Sequence, residues 1–225
     1  MVSEQAEEVM NPIKNWIQRS FSRRGFIFLV ALGLYHIILR RTAAWARAEY
    51  QRVKEFPTRS MEATQKVDLK TWRLKIEGLV DKPISFSFDE IRNLPQKVQT
   101  KNFICVEGWG LDNQEWEGVH LKEIFSKIKI SPKAKFITFH AAGGQYKDSL
   151  SIKEALEPDT MLAYGLNGKN LSPDHGFPLR LIIPRMYAYK GVKWVDRIVL
   201  TEKQEVGYWE KGGYSVDGSI PGLGN

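Results

Sequence analysis

Hydrophobic and polar residues alternate over most of the chain after residue 70, in a pattern that predicts many short β-strands. Over residues 71–80, Trp72, Leu74 and Ile76 alternate with mostly charged residues, which is the period of a half-buried strand. Similar patterns or short apolar runs predict strands at residues 84–88, 98–106, 135–140, 149–152, 161–166, 181–183 and 195–200. Short helices are predicted at residues 89–91, 121–128 and 153–156, and a loop at 111–115. Together these elements predict an α+β fold that is mixed and mainly β.

The two ends of this region differ from it in composition. Residues 49–70 are polar, contain Pro57 and have few apolar side chains, which is typical of an extended linker. Residues 207–214 are rich in glycine and aromatic residues. That composition favours a loop packed over the domain rather than a disordered end.

The N-terminal residues resemble an export signal. Arg23 and Arg24 precede an apolar run at residues 25–39, as in twin-arginine signals, which a receptor reads before folded cargo crosses the membrane. A run of 15 residues suits a signal core better than a membrane-spanning helix, which needs about 20. The alternative is a retained anchor, with membrane association through residues 25–39. The predicted organisation is a signal or anchor at residues 1–48, a linker at 49–70 and one catalytic domain at 71–225.

The basic charge of the chain is concentrated in this leader. The formal net charge is +7, and residues 1–60 hold ten Lys and Arg against five Asp and Glu. The remaining residues are therefore close to neutral. A near-neutral domain argues against nucleic acid as a partner.

Cys105 is the only cysteine in the sequence and the first candidate for chemistry. A strand-like run delivers it into a Gly-Trp-Gly turn, so the thiol should face a loop-lined cavity. As a nucleophile it would need a base, for which His140 or His175 could serve. As a thiolate it could instead bind a soft or high-valent metal, although no neighbouring spacing completes a zinc site. A small buried side chain without chemistry is the third possibility.

A second cluster combines a histidine, an arginine and two lysines. His175 and Arg180 flank a His-Gly-Phe-Pro-Leu-Arg turn, and Lys190 and Lys193 flank Gly191. Arginine offers a bidentate fork and lysine a point charge, so the cluster could clamp a phosphate. It lacks the glycine spacing of a nucleotide-binding loop, and a solvated basic loop is the alternative.

Four segments in this order resemble the molybdopterin-binding domain of the sulfite oxidase superfamily. They are Cys105–Trp109, Trp116–Val119, His175–Arg180 and Lys190–Trp194, and the likeness covers roughly residues 72–214. The first resembles exported methionine-sulfoxide reductase catalytic subunits most, whereas the third resembles sulfite oxidases. The resemblance implies a sulfite-oxidase-type fold, with Cys105 as the molybdenum ligand. The cofactor contacts that we expect are Cys105, His140, His175, Arg180, Gly191, Val192 and Lys193.

The resemblance also implies an activity. We expect an exported, periplasmic or otherwise extracytoplasmic oxidoreductase that performs two-electron oxygen-atom transfer, either S-oxide reduction or sulfite-type oxidation. Electrons would pass to or from a haem- or quinone-linked partner. Glu107 would handle protons, and Arg185 is the one arginine nominated for substrate, where sulfite oxidases use several. The family's upstream pterin-contacting loop has no clear equivalent at residues 50–70. A metal-free cysteine enzyme and a non-catalytic binding module are the alternatives.

Overall fold

The computed structural model describes residues 49–223, which form two β-sheets and a few short helices. The strands are β1 (Gln51–Arg52), β2 (Leu74–Gly78), β3 (Ile84–Phe86), β4 (Gln96–Ile104), β5 (Trp109–His120), β6 (Phe136–Ala141), β7 (Lys147–Ser151), β8 (Met161–Leu166), β9 (Lys169–Asn170), β10 (Arg180–Ile182) and β11 (Val195–Thr201). The α-helices are α1 (Phe88–Arg92), α2 (Leu121–Phe125) and α3 (Ile152–Ala155), and 3-10 helices span Pro173–His175, Ala188–Lys190 and Glu210–Gly212. The predicted mainly β, mixed fold is confirmed.

The first sheet is built around the long hairpin of β4 and β5. Its strand order is β1-β5-β8-β10, with β4 also paired to β5 and β9 to β8. The loop predicted at residues 111–115 is wrong, because these residues continue β5 and pair with β4, for example Gln114 opposite Lys101. The chain turns earlier, at Cys105–Gly108. The polar side chains at 112–115 are half-buried or exposed in the paired strand, and sequence polarity alone cannot separate that arrangement from a loop.

The second sheet has the order β3-β2-β11-β6-β7 and packs against the first through a shared core. Only the β2–β11 pair in it is parallel. Leu74 and Phe139 of this sheet and Val119 and Leu181 of the first belong to one cluster of buried apolar residues. Burial of this kind stabilises by roughly 25 cal/mol per Å² of apolar surface. The core therefore fixes the two sheets, and the loops between them carry the cavity.

Short helices begin where serine caps their first turn. Ser87 and Glu90 form a capping box at the start of α1, and Ser151 and Glu154 form another at α3. Each box satisfies backbone N–H groups that the first turn leaves without partners. The helix predicted at residues 121–128 is shorter, since α2 ends at Phe125 and hydrogen-bonded turns follow.

Residues 49–70 are folded onto the domain, although their composition predicts a linker. β1 runs parallel to β5, with Gln51 opposite Trp109. Phe56 packs against the Phe103 ring at 4.8 Å between centroids. The buried Glu62 carboxylate accepts backbone hydrogen bonds from Gln145 and Tyr146. The Phe56 ring and the Glu62 carboxylate therefore attach this mostly polar segment to the domain.

The signal or anchor predicted at residues 1–48 lies outside the described residues. Within residues 49–223 no helix is long and apolar enough to cross a membrane. At the other end, residues 207–223 lie against the domain. Tyr187 donates a backbone hydrogen bond to Gly218, Ile220 donates one to Arg185, and the Ile220 side chain is buried.

Candidate active site

A cavity of about 290 Å³ opens between the hairpin turn at Cys105–Gly108 and the loops around His175 and Gly191. Residues 56–61 and the C-terminal residues Trp209 and Tyr214 complete its lining. Three of the four chain segments that resemble a molybdopterin domain thus meet here, whereas Trp116–Val119 is not part of the lining. Of the predicted site residues, the cavity is lined by Cys105, Glu107, His175, Arg180, Gly191 and Lys193.

Cys105 lies in the tight turn between β4 and β5. Its backbone N–H donates to Trp109 (2.8 Å), its carbonyl accepts from Gly108 (3.1 Å), and Gly108 takes φ +83°, which glycine adopts at little cost. The residue is 9% exposed. Burial raises the pKa of the thiol, while backbone hydrogen bonds from Glu107 and Val106 act in the opposite direction. The turn therefore presents a thiol whose anion has backbone donors but little water.

Arg180, at the start of β10, is a buried cation without an acidic partner among residues 49–223. Its Nη1 donates to the His175 carbonyl (3.0 Å), and its guanidinium lies over the rings of Phe56 (5.4 Å) and Phe103 (4.8 Å). Its Nε has no hydrogen-bond partner in the described structure. Burial lowers the pKa of Arg180 to about 10, so it stays charged at neutral pH. An anion in the cavity would supply the missing acceptor.

Lys193 is the second cation of this kind. Its Nζ donates to the Asp174 carbonyl (2.8 Å) and lies 4.3 Å from the centre of the Trp194 ring. Burial and then the charge of Arg180 lower its pKa to about 8. Gly176, at φ +110°, passes between the two side chains, and a Cβ there would lie 3.2 Å from the Cβ atoms of both. Neither cation makes a salt bridge within residues 49–223.

His175 lines the cavity, but its ring nitrogens are already hydrogen-bonded. Nε2 lies 3.1 Å from the Phe56 carbonyl and Nδ1 lies 2.9 Å from the Ser172 hydroxyl. The ring also stacks on Phe56 at 4.3 Å. Because a carbonyl only accepts, Nε2 carries the proton and Nδ1 accepts from the serine. Burial lowers the pKa of His175, so the ring is neutral and attaches the segment at residue 56.

Glu107 is exposed at the rim. Its Oε2 accepts from Trp109 Nε1 (2.8 Å) and from Arg59 Nε (3.0 Å). These bonds, the Trp109 bond first, lower the pKa of the carboxyl group. A carboxylate that is held ionised is poorly suited to donate protons at neutral pH, and it balances the charge of Arg59.

Three residues predicted for the site lie elsewhere. His140, in β6, accepts a hydrogen bond from Arg197 Nη2 (3.0 Å), and burial lowers its pKa to about 4. Arg185 pairs with Asp159. Val192 is fully buried in the core. None of the three is part of the cavity lining.

Lys190 also points away from the predicted clamp. It is 1% exposed and forms buried ion pairs with Asp148 and Glu210. The site residues that the sequence did not indicate include Phe56, Met61, Tyr146, Trp209 and Tyr214. Phe56 could have been found from the sequence, since Phe56-Pro57 is an isolated apolar pair within a polar stretch.

The donors around the cavity fit an anionic cofactor with a thiolate-bound metal. Cys105 supplies the thiol, and Arg180 Nε is a buried donor that has no hydrogen-bond partner within the described part of the chain. Lys193 adds a positive charge beside it. The fold and the cavity together are those of a protein that binds an anionic, metal-containing cofactor beside a single cysteine.

Comparison of the chain with protein families points to molybdopterin as this cofactor. The family model described as the oxidoreductase molybdopterin binding domain matches residues 61–209, and the chain belongs to this family. It is a molybdenum-dependent oxidoreductase of the sulfite oxidase family. The predicted family and enzyme class are confirmed.

Relatives and a solved structure agree with this placement. The chain is 34% identical over 151 residues to the uncharacterized oxidoreductase YuiH of Bacillus subtilis, covering 67% of this chain and 76% of that protein. It is 28% identical over 180 residues to the protein-methionine-sulfoxide reductase catalytic subunit MsrP of Campylobacter jejuni, covering 72% of this chain and 60% of that protein. The sulfane dehydrogenase SoxCD of Paracoccus pantotrophus superposes with a TM-score of 0.58 at 25% identity, over 65% of this chain and 41% of that one.

Proposed function

We propose that this protein reduces organic S-oxides at the cavity, with molybdopterin bound there and Cys105 as the molybdenum ligand. The observation that carries the proposal is the composition of the cavity lining. Its cations Arg180 and Lys193, which form no salt bridge within residues 49–223, suit an anionic cofactor. Its exposed members are the apolar or aromatic Met61, Val106 and Tyr214 together with Ser60 and the ion pair of Arg59 and Glu107. The cavity thus combines a place for an anionic cofactor with a mouth in which apolar side chains lie beside a charge-balanced ion pair.

The chain's own residues hold the cofactor and exclude water. Cys105 would bind the metal, Arg180 and Lys193 would balance the cofactor's negative charge, and the Gly191 backbone would border it. When bound, molybdopterin supplies the two-electron exchange that accompanies oxygen-atom transfer. In the net reaction the S–O bond breaks, the sulfur takes up two electrons, and the oxygen leaves as water with two protons. A haem- or quinone-linked partner would supply the electrons.

An organic S-oxide suits this mouth better than sulfite. Sulfite is anionic and needs cations that are free to meet it. Arg59 is paired with Glu107, and Arg185 is paired with Asp159 away from the cavity. An S-oxide is neutral, and its apolar substituents can pack on aromatic side chains.

A metal-free cysteine enzyme has less support. Burial raises the pKa of Cys105, which opposes a nucleophilic thiolate, and both nitrogens of His175 are engaged. His140 lies outside the cavity lining. A nearby base for the thiol is therefore not evident among residues 49–223.

The test is a cofactor and activity measurement on purified protein and its Cys105→Ser variant. We expect stoichiometric molybdenum and pterin in the wild type, with reduction of alkyl and aryl S-oxides by a reduced dye. The variant should lose metal coordination and activity while its thermal unfolding changes little. Active protein without molybdenum would exclude the proposal, and turnover of sulfite alone would exclude S-oxides as the substrate class.

We further propose that residues 1–48 direct export of the folded, cofactor-loaded protein, with extracytoplasmic localisation. The support is the Arg23-Arg24 pair before an apolar run. Replacing both arginines with lysine should leave active protein in the cytoplasm, as measured by cell fractionation. Unchanged extracytoplasmic activity would contradict a twin-arginine signal.

A further inference from the structure

We propose that residues 207–220, the C-terminal wall, determine which substrates enter this cavity, and that Lys190 is the residue that positions this wall. This inference rests on the proposed function in one respect, namely that the substrate binds in the cavity. It concerns residues that neither the clamp nor the metal ligand uses.

Lys190 connects the wall to the body of the protein. Its buried Nζ pairs with Asp148 (2.6 Å) and donates to the Ser149 carbonyl (3.2 Å), both on β7. The same Nζ pairs with Glu210 and donates to the Val216 carbonyl (2.9 Å), both on the wall. One ammonium group therefore bridges a core strand and two points of the wall.

The wall follows a path shaped around this ion cluster. A Cβ at Gly207 would lie 2.8 Å from an Asp148 oxygen, and one at Gly218 would lie 2.6 Å from Lys190 Cγ. The Gly207 N–H also donates to Glu210 (2.7 Å). Glycine thus allows the backbone to approach the cluster at both ends of the wall.

The wall's aromatic side chains reach the cavity. Trp209 and Tyr214 both line it, and their ring centroids lie 5.3 Å apart. Tyr189, the neighbour of Lys190, lies 5.3 Å from Tyr214 and donates to the Ser215 carbonyl (2.7 Å). A shift of the wall would therefore displace two of the residues that a substrate would meet.

Most of the wall lies beyond the residues that the family model matches. The family match ends at residue 209, so Glu210, Tyr214 and Gly218 lie beyond it. The shared domain accounts for the cofactor, and the wall adds selection by shape. Its indole and phenol rings favour S-oxides with large apolar substituents over small ones.

Access to Cys105 in the cofactor-free full chain tests the wall without any turnover. Because the chain has one cysteine, alkylation by iodoacetamide and by a polyethylene-glycol maleimide reports access for a small and a bulky probe. In Trp209→Ala and Glu210→Ala we expect the bulky probe to react about tenfold faster, with a smaller change for iodoacetamide. Glu202→Ala, an exposed carboxylate outside the wall, is the matched control. If the bulky probe reacts at an unchanged rate in both variants, the wall does not control access to the cavity.

A test of Lys190 needs a variant that leaves no buried carboxylate unpaired, since such a charge strongly destabilises the folded state. Lys190→Met combined with Asp148→Asn and Glu210→Gln removes the ion pairs while keeping side-chain size. We expect the bulky-probe rate to rise as in Glu210→Ala, whereas an unchanged rate would show that Lys190 does not position the wall.

Substrate kinetics of the loaded enzyme supply a second measurement. In Trp209→Ala and Tyr214→Ala, KM should rise several-fold for methyl phenyl sulfoxide and change little for dimethyl sulfoxide, with kcat retained. Equal effects on both substrates would contradict selection by the wall. If the variants change the alkylation rate of Cys105 but the enzyme turns over no S-oxide, control of access by the wall is supported and S-oxides are excluded as the substrate class.

Discussion

The guanidinium of Arg180 lies 4.8 Å from the centre of the Phe103 ring, and its Nε has no hydrogen-bond partner among the described residues. Ring faces and a carbonyl hold this buried cation where a carboxylate would ordinarily do so. Aromatic faces stabilise a cation by about 0.5–2 kcal/mol, less than its desolvation costs. We therefore expect an anion that binds in the cavity to compensate this charge.

Arg180→Met should separate cofactor binding from folding. We expect pterin and molybdenum content to fall by about tenfold or more, because a lost charge-assisted hydrogen bond costs about 1.5–3 kcal/mol. The Tm of the cofactor-free protein should not fall, since the substitution removes an uncompensated buried charge. Arg197→Met is the control, because Arg197 pairs with Glu77 and contacts His140 outside the cavity. Full cofactor content in Arg180→Met would contradict the assignment.

The pH dependence of Cys105 alkylation distinguishes a metal ligand from an activated nucleophile. Burial raises the pKa of the thiol above its ordinary value of 9.0. In cofactor-free protein the iodoacetamide rate should therefore still be rising above pH 9, and at pH 7 it should be below that of a free peptide thiol. A midpoint below pH 8 would instead favour the metal-free cysteine enzyme.

The sequence predicted best the elements whose burial is uniform. β8 was predicted at residues 161–166 and observed there, because it lies between β5 and β10 and nearly all of its side chains are buried. A turn next to Cys105 was predicted from Gly108-Trp109-Gly110, but the chain turns earlier, at Cys105–Gly108, and Trp109 and Gly110 already belong to β5. Where polar residues lie in a paired strand, as at 112–115, the same reasoning failed.

The cavity depends on contacts that a linear pattern does not carry. Lys190 and Lys193 look alike in sequence, yet the first points into a buried ion cluster and the second into the cavity lining. Lys190 is the last residue of the 3-10 helix at Ala188–Lys190, whereas Lys193 lies in the loop that follows this helix. Phe56 reaches His175 across more than a hundred residues, and only the folded chain reveals that pairing.

Glu62 should be the main attachment of residues 56–61 to the turn before β7. Its Oε1 accepts from the N–H groups of Gln145 (2.6 Å) and Tyr146 (2.5 Å). Glu62→Ala leaves those donors without a partner, at about 1–3 kcal/mol each when buried, so we expect unfolding free energy to fall by about 2 kcal/mol. Urea unfolding measures it.

Gly143 provides a double-mutant cycle for the same contact. A Cβ at Gly143 would lie 2.1 Å from Glu62 Oε2, so Gly143→Ala must displace the carboxylate. We expect Gly143→Ala alone to destabilise the protein about as much as Glu62→Ala. The double variant should be no less stable than either single variant, because the clash disappears with the side chain. Additive losses would show that the two residues do not interact.

Asp148 should make stability depend on pH near neutrality. One buried ammonium, Lys190, faces two buried carboxylates, Asp148 and Glu210, and burial raises the pKa of Asp148 to about 7. The folded state thus holds a proton that the unfolded chain releases near pH 4. Unfolding free energy must then fall as pH rises from about 4 to 7, and the contribution is lost above pH 7. In Asp148→Asn this fall should disappear, while the exposed Asp81→Asn should retain it. Thermal unfolding from pH 5 to 8.5 measures the difference, and parallel curves for wild type and Asp148→Asn would contradict the raised pKa.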